Sequence, residues 1–266
     1  MSARYNQILV VDSLPDAERG VLDRLFDDMT GWAEVAEEPP TPVRVSLANA
    51  NELPALLGQC ADAVRTHPYV PLLHIECHGH DEGLQFADGS TLSWRDLKLH
   101  LVALNEATKL NLVVIIAACF GGSIARISGA DDRAPFWGFI GPKEEISTGQ
   151  LSDAMSAFYQ ALFMTKSSHR AIEALRATEG GGKFWILSAQ AIFKLIGESY
   201  SREYLTDTNV AQRAMVLRAL AAQQGVEWPV EEVERMIRDP RYMDRMRARF
   251  FMLDLFPDHR ERFAQA

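Results

Sequence analysis

Two short apolar runs end in side chains that can do chemistry together. The first, Leu72-Leu73-His74-Ile75-Glu76-Cys77-His78-Gly79-His80, closes on imidazoles and a glycine; the second leads through Ala117-Ala118 into Cys119-Phe120-Gly121-Gly122. A free cysteine is only a small fraction thiolate at neutral pH, and a neighbouring imidazole accepts its proton or, once protonated, holds it as thiolate. Gly79 carries no side chain where a substrate carbonyl would sit, so its amide is free to face a developing oxyanion. Gly121 and Gly122 permit a tight exit into a helix expected to start between Gly121 and Ser123, whose dipole favours negative charge.

For His78 and Cys119 to meet, the two runs must be neighbouring parallel strands, about 4.8 Å apart, ending at one edge of a sheet. The rest of the chain supplies such a sheet. β-rich runs at residues 7–11, 43–47, 71–78, 111–118, 136–140 and 184–187 alternate with amphipathic segments at 15–29, 51–67, 94–107, 152–164 and 169–178. That alternation calls for parallel strands joined by helical crossovers. Ser93 is placed to cap the helix that begins at Trp94, and Leu84 and Phe86 alternate before an Asp88-Gly89 hairpin turn.

His78-Gly79 closing one strand and Ala118-Cys119 the next, with the hairpin and a helix between, resemble the caspase-type (clan CD) cysteine peptidases. The branch most similar is the bacterial, separase-related CHAT group. Phe136 to Glu145, a helix with Phe158 and Tyr159, and His169-Arg170-Ala171-Ile172-Glu173-Ala174-Leu175-Arg176 continue the resemblance, which spans residues 71–187. It implies a caspase-like, mostly parallel α/β sheet with flanking helices, and a cysteine endopeptidase acting on protein substrates. His78 would be the base and acid, Cys119 the nucleophile, and the amides of Gly79 and Cys119 the oxyanion hole. It further implies a role in bacterial stress or antiviral defence; no cofactor is expected, and because no sensor domain is recognisable in the sequence, control is expected to come from a regulatory protein partner. Ala117 stands where caspases proper carry glutamine and where some relatives carry aspartate, so substrate preference is not carried over.

Other readings compete residue by residue. An isolated cysteine after a β run is more often core than nucleophile. Cys77, His78, His80 and Asp81 are all metal-ligating types, but strand alternation sends Cys77 to the face opposite His74, Glu76 and His78, so no metal is expected. Cys60 reads as packing and His100 as an ordinary helix residue. Glu144 and Glu145, just beyond the fifth strand, are candidate substrate-binding carboxylates that would favour cleavage after a basic residue; an apolar pocket lined by Trp137 or Phe139 is the competing expectation. Ser128 to Ala134 reads as an exposed, mobile, activation-sensitive loop.

The chain carries 27 Lys and Arg against 36 Asp and Glu, a net charge of −9 that argues against a nucleic-acid partner. No run approaches the roughly 18 uncharged apolar residues of a membrane span, so no membrane partner is expected. Three cysteines do not make a disulfide framework, and with no leader-like pattern in residues 1–7 a reducing cytoplasm is expected. Residues 200–266 hold 11 acidic and 11 basic side chains, the latter all arginine, with helical apolar spacing in Val210, Met215, Leu217 and Leu220. The expected organisation is a CHAT-type peptidase domain over 1–199 and a helical C-terminal extension over 200–266. Two alternatives stay open: a cysteine hydrolase of amidotransferase-like type, and a non-catalytic interaction module.

Overall fold

The computed structural model describes residues 5–129 and 132–264. In chain order the first elements are β1 (Gln7–Ser13), α1 (Gly20–Val35), β2 (Thr41–Ser46), α2 (Glu52–Thr66) and β3 (Pro71–His80). A hairpin of β4 (Gly83–Gln85) and β5 (Thr91–Ser93) leads into α3 (Trp94–Ala107), β6 (Val113–Ala117) and the single turn α4 (Ser123–Arg126). Then come β7 (Gly138–Pro142), α5 (Thr148–Thr165), α6 (Ser168–Ala177) and β8 (Phe184–Ser188).

The sheet runs β2-β1-β3-β6-β7-β8. Every neighbouring pair in that order is parallel except β7 and β8. Two helices rather than one separate β7 from β8, which returns the chain to the sheet in the reverse sense. β3 and β6 are central and buried on both faces, β6 as an unbroken apolar run and β3 with His74 and Glu76 set among its apolar residues. β2 takes an edge, where the missing N–H of Pro42 is tolerated. α1 and α5 cover one face, packing Leu22, Met29, Phe158 and Tyr159 on Val10, Leu72 and Ile115. Ser93 caps α3 as expected, its hydroxyl accepting the Asp96 amide at 3.1 Å. Gly89 occupies the left-handed region (φ 85°) that the Asp88-Gly89 turn requires.

The chain divides into two compact units, residues 1–127 with 135–188, and residues 128–134 with 189–266. The boundary expected at residue 199 therefore falls at Ser188. The reason is α7 (Ala189–Ser199), whose Phe193 ring lies 5.3 Å from those of both Phe250 and Phe251. The second unit is helical as expected, with α8 (Asp207–Gln223), α9 (Val230–Ile237), α10 (Arg241–Phe250) and the short α11 (His259–Arg262). Its buried stripe on α8 runs through Val210 and Ala214, leaving Met215 and Leu220 exposed. Of the segment expected to be a mobile loop, Ser128, Arg133 and Ala134 are instead held in place. Arg133 pairs with both carboxylate oxygens of Asp254 (2.8 and 2.7 Å), the Ala134 amide donates to the Phe250 carbonyl, and Ser128 is buried. Ala130 and Asp131 of that segment lie outside the described residues. No helix among the described residues is long and apolar enough to cross a membrane.

Candidate active site

β3 and β6 are adjacent, in a register that sets Leu72 opposite Val113 and Glu76 opposite Ala117. Two residues beyond the last pair stand His78 and Cys119, which the register carries to one level at the carboxyl edge. Strand alternation gives His74, Glu76 and His78 a common face, shared with Val113, Ile115 and Cys119. It is the face that α1 and α5 cover: His74 Nδ1 lies 2.9 Å from the Tyr159 hydroxyl of α5, and Cys119 packs against the core containing Val113 and Ile115. His78 and Cys119 line a single cleft of about 480 Å³, with Leu14, Glu18, Glu76, Ala117 and Ile146 among its other walls.

The turn that presents Cys119 is tight. Phe120 adopts φ 56°, a region costly for a residue with a side chain, so the surroundings must hold it there. The segment after β7 does so. The Phe120 amide donates to the Glu144 carbonyl (3.3 Å), the Gly122 amide to the Pro142 carbonyl (2.7 Å), and Cys119 Sγ to the Ile146 carbonyl (3.6 Å). Gly79 meets the same turn from the other side, since a Cβ there would lie 2.1 Å from the Cys119 carbonyl oxygen. The two strand ends approach this closely because one of them is glycine.

His78 has a partner that sequence reasoning missed. Its Nε2 lies 3.1 Å from Glu18 Oε2, on the segment joining β1 to α1. That segment is fixed by the fully buried Asp12, which accepts the Leu14 amide (3.1 Å) and pairs with Arg44 (2.7 Å) and Arg19 (3.5 Å). The only signal in the sequence was a carboxylate shortly after the strand next to β3. An orienting carboxylate fixes the imidazole and stabilises its protonated form. Both side chains are about half exposed, so water screens the pair and its contribution is modest. We expect Glu18→Gln to lower kcat for peptide hydrolysis about tenfold, the low end for a lost orienting partner, with KM little changed. Steady-state kinetics check this.

No family model matches the chain, and no curated protein matches it. Among solved structures it is similar to the X-ray structure of a secreted C11 cysteine protease from Bacteroides thetaiotaomicron in complex with an irreversible peptide inhibitor. Identity is 10% and the TM-score 0.47, with 72% of this chain and 68% of that one covered.

Several expected residues fall elsewhere. Glu144 and Glu145 are exposed, and neither lines the cleft. What they offer inward is backbone: the Glu144 carbonyl holds the cysteine turn, and the Glu145 carbonyl accepts from Lys183 Nζ (3.0 Å). Phe139 is buried and stacked on Phe136, and Trp137 packs against the core that includes Val113 and Ile115; neither lines the cleft. The helix expected to start between Gly121 and Ser123 begins at Ser123, but it lasts only one turn, too short for a developed dipole. Cys77 is buried, and burial pushes its thiol far above the ordinary range, leaving it unreactive. His80 accepts the Glu82 amide at 3.2 Å. His169 and Glu173, the pair an amidotransferase-like reading would need, face each other at 3.5 Å on α6, outside the cleft. Among the described residues no three His, Cys, Asp or Glu side chains are grouped to hold a metal ion. No hydrogen bond joins His78 to Cys119 among the described residues.

Proposed function

We propose that the chain is a caspase-like cysteine endopeptidase working through Cys119 and His78, with Glu18 orienting the imidazole. The observation that carries this reading is the shared register level, sheet face and cleft of the two residues. The Cys119 thiol gives its proton to His78 as Sγ attacks the scissile carbonyl carbon. The resulting oxyanion is received by the amides of Gly79 and Cys119. Collapse breaks the C–N bond, and His78 returns the proton to the departing amine. Water, deprotonated by His78, then cleaves the thioester and restores the thiol. Every group in this sequence belongs to the chain or to water, so no cofactor is required. The CHAT branch is the finer reading, supported by His78-Gly79, Ala118-Cys119 and the segment from His169 to Arg176.

A second reading, a non-catalytic interaction platform, is favoured by one observation: the Cys119 thiol is engaged with the Ile146 carbonyl rather than with His78. Alkylation separates the two. We expect iodoacetamide on the native protein to modify Cys119 well before Cys60 and Cys77, both buried with their thiols pushed up. His78→Ala should slow that modification about tenfold or more, in line with loss of a base that supplies thiolate. Peptide mapping by mass spectrometry follows the three sites. A Cys119 rate indifferent to His78, together with no labelling by a peptidyl acyloxymethyl ketone, would favour the platform.

A further inference from the structure

One buried carboxylate of the cleft has no part in the chemistry just described. Glu76 is 7% exposed and lines the cleft two residues before His78. Its Oε2 lies 3.1 Å from His74 Nε2, and His74 Nδ1 lies 2.9 Å from the Tyr159 hydroxyl. Tyr159 and Glu76 thus hold the His74 ring from its two sides, and His74 occupies Oε2 of the carboxylate. Glu76 Oε1 receives no hydrogen bond among the described residues and is not one of the enclosed atoms without a partner, so it is open to the cleft's solvent.

The space beside that oxygen is open. The residue opposite Glu76 in the register is Ala117, whose methyl group leaves the cleft clear, and both line it. At about 3.3 Å per residue, Glu76 sits some 6.6 Å behind His78 along the strand, a side chain's length from where a carbonyl attacked by Cys119 would lie. Besides the thiols of Cys77 and Cys119, four charged or titratable side chains line the cleft: Glu18, Arg24, Glu76 and His78. Glu18 is engaged with His78, and Arg24 is exposed, so water screens it. Of these four, Glu76 alone is a buried residue, with one oxygen left open to the cleft.

We infer that Glu76 selects the substrate: its carboxylate receives the ammonium or guanidinium of a lysine or arginine, so the bonds cut are those that follow a basic residue. The inference rests on the peptidase reading above. The carboxylate comes from the histidine strand, whereas the sequence pointed to Glu144 and Glu145. A partly desolvated ion pair with an open oxygen is also the setting in which a charge-assisted hydrogen bond contributes most.

The test compares paired peptides that differ only in arginine against citrulline before the scissile bond, an exchange that removes the charge and keeps the shape. Wild-type kcat/KM should favour arginine by about 10- to 100-fold, the range for a hydrogen bond to a charged group. Glu76→Gln should collapse that ratio to near one, and Glu76→Asp should restore part of it, which a merely structural role for Glu76 would not do. Binding keeps the test independent of turnover and of the folding of the Glu76 variants. Cys119→Ala protein should bind the arginine peptide more tightly than the citrulline peptide by a similar factor, as read by fluorescence anisotropy. Equal cleavage or equal binding of the two peptides overturns the inference while leaving the peptidase intact. Absence of any Cys119-dependent cleavage overturns the peptidase reading, and this one with it.

Discussion

Cys119→Ala and His78→Ala are each expected to lower peptide hydrolysis by about four to six orders of magnitude, because a nucleophile and its base act as one unit and losing either forfeits nearly the whole effect. The fold should survive. Cys119 is only part-buried and gives up one long hydrogen bond to the Ile146 carbonyl and the packing of its sulfur on the core, so its loss costs about 1 kcal/mol. His78 is half exposed and its ion pair with Glu18 is screened. Steady-state hydrolysis and thermal melting of the two variants beside the wild type check both halves. Undiminished hydrolysis of a validated substrate by Cys119→Ala would end the assignment.

Gly79→Ala is expected to damage the site from the backbone outward. Its new Cβ would stand 2.1 Å from the Cys119 carbonyl oxygen and 3.0 Å from Ala118 Cβ. The obstacle is main chain, not the tip of a flexible side chain, so β3 and the cysteine turn must separate by more than an ångström. A misplacement of that size costs about 100-fold in rate, and the overpacking destabilises by about 1–3 kcal/mol. Gly31→Ala is the control, since nothing lies within 4 Å of a Cβ there. Within α1 it should raise stability by about 0.5–1 kcal/mol and leave hydrolysis unchanged. Measured kcat/KM and melting temperatures distinguish the pair; equal activity of the two variants would show that the close approach of Gly79 to Cys119 has no bearing on the chemistry.

The sequence was most legible where local pattern and tertiary role coincide. β3 and β6 are rich in apolar residues because both faces are buried, and their reactive ends stand out against that pattern. Ser93 and Asp88-Gly89 were readable because a cap and a turn are decided by a few consecutive residues. Glu18 was not readable: its meeting with His78 depends on β1 lying next to β3 and on the buried Asp12 cluster folding the intervening segment, and no local spacing encodes either. Glu144 and Glu145 illustrate a different limit. The sequence placed them near the cysteine turn, and there they are, but a residue has a main chain and a side chain, and it is the carbonyl of Glu144 that faces inward. On α8 the apolar spacing pointed to Met215 and Leu220, whereas Ala214 completes the buried stripe because the small side chain allows close packing with Val233 and Ile237.

The ion pair between Arg133 and Asp254 spans 121 residues of sequence. A ribosome adding about 5–20 residues per second therefore makes Arg133 on the order of ten seconds before it makes Asp254. Throughout that interval the cysteine strand is complete while the carboxylate that will meet Arg133 does not yet exist. The order of synthesis thus imposes an order on this one ion pair: it closes only after every strand of the sheet has been made.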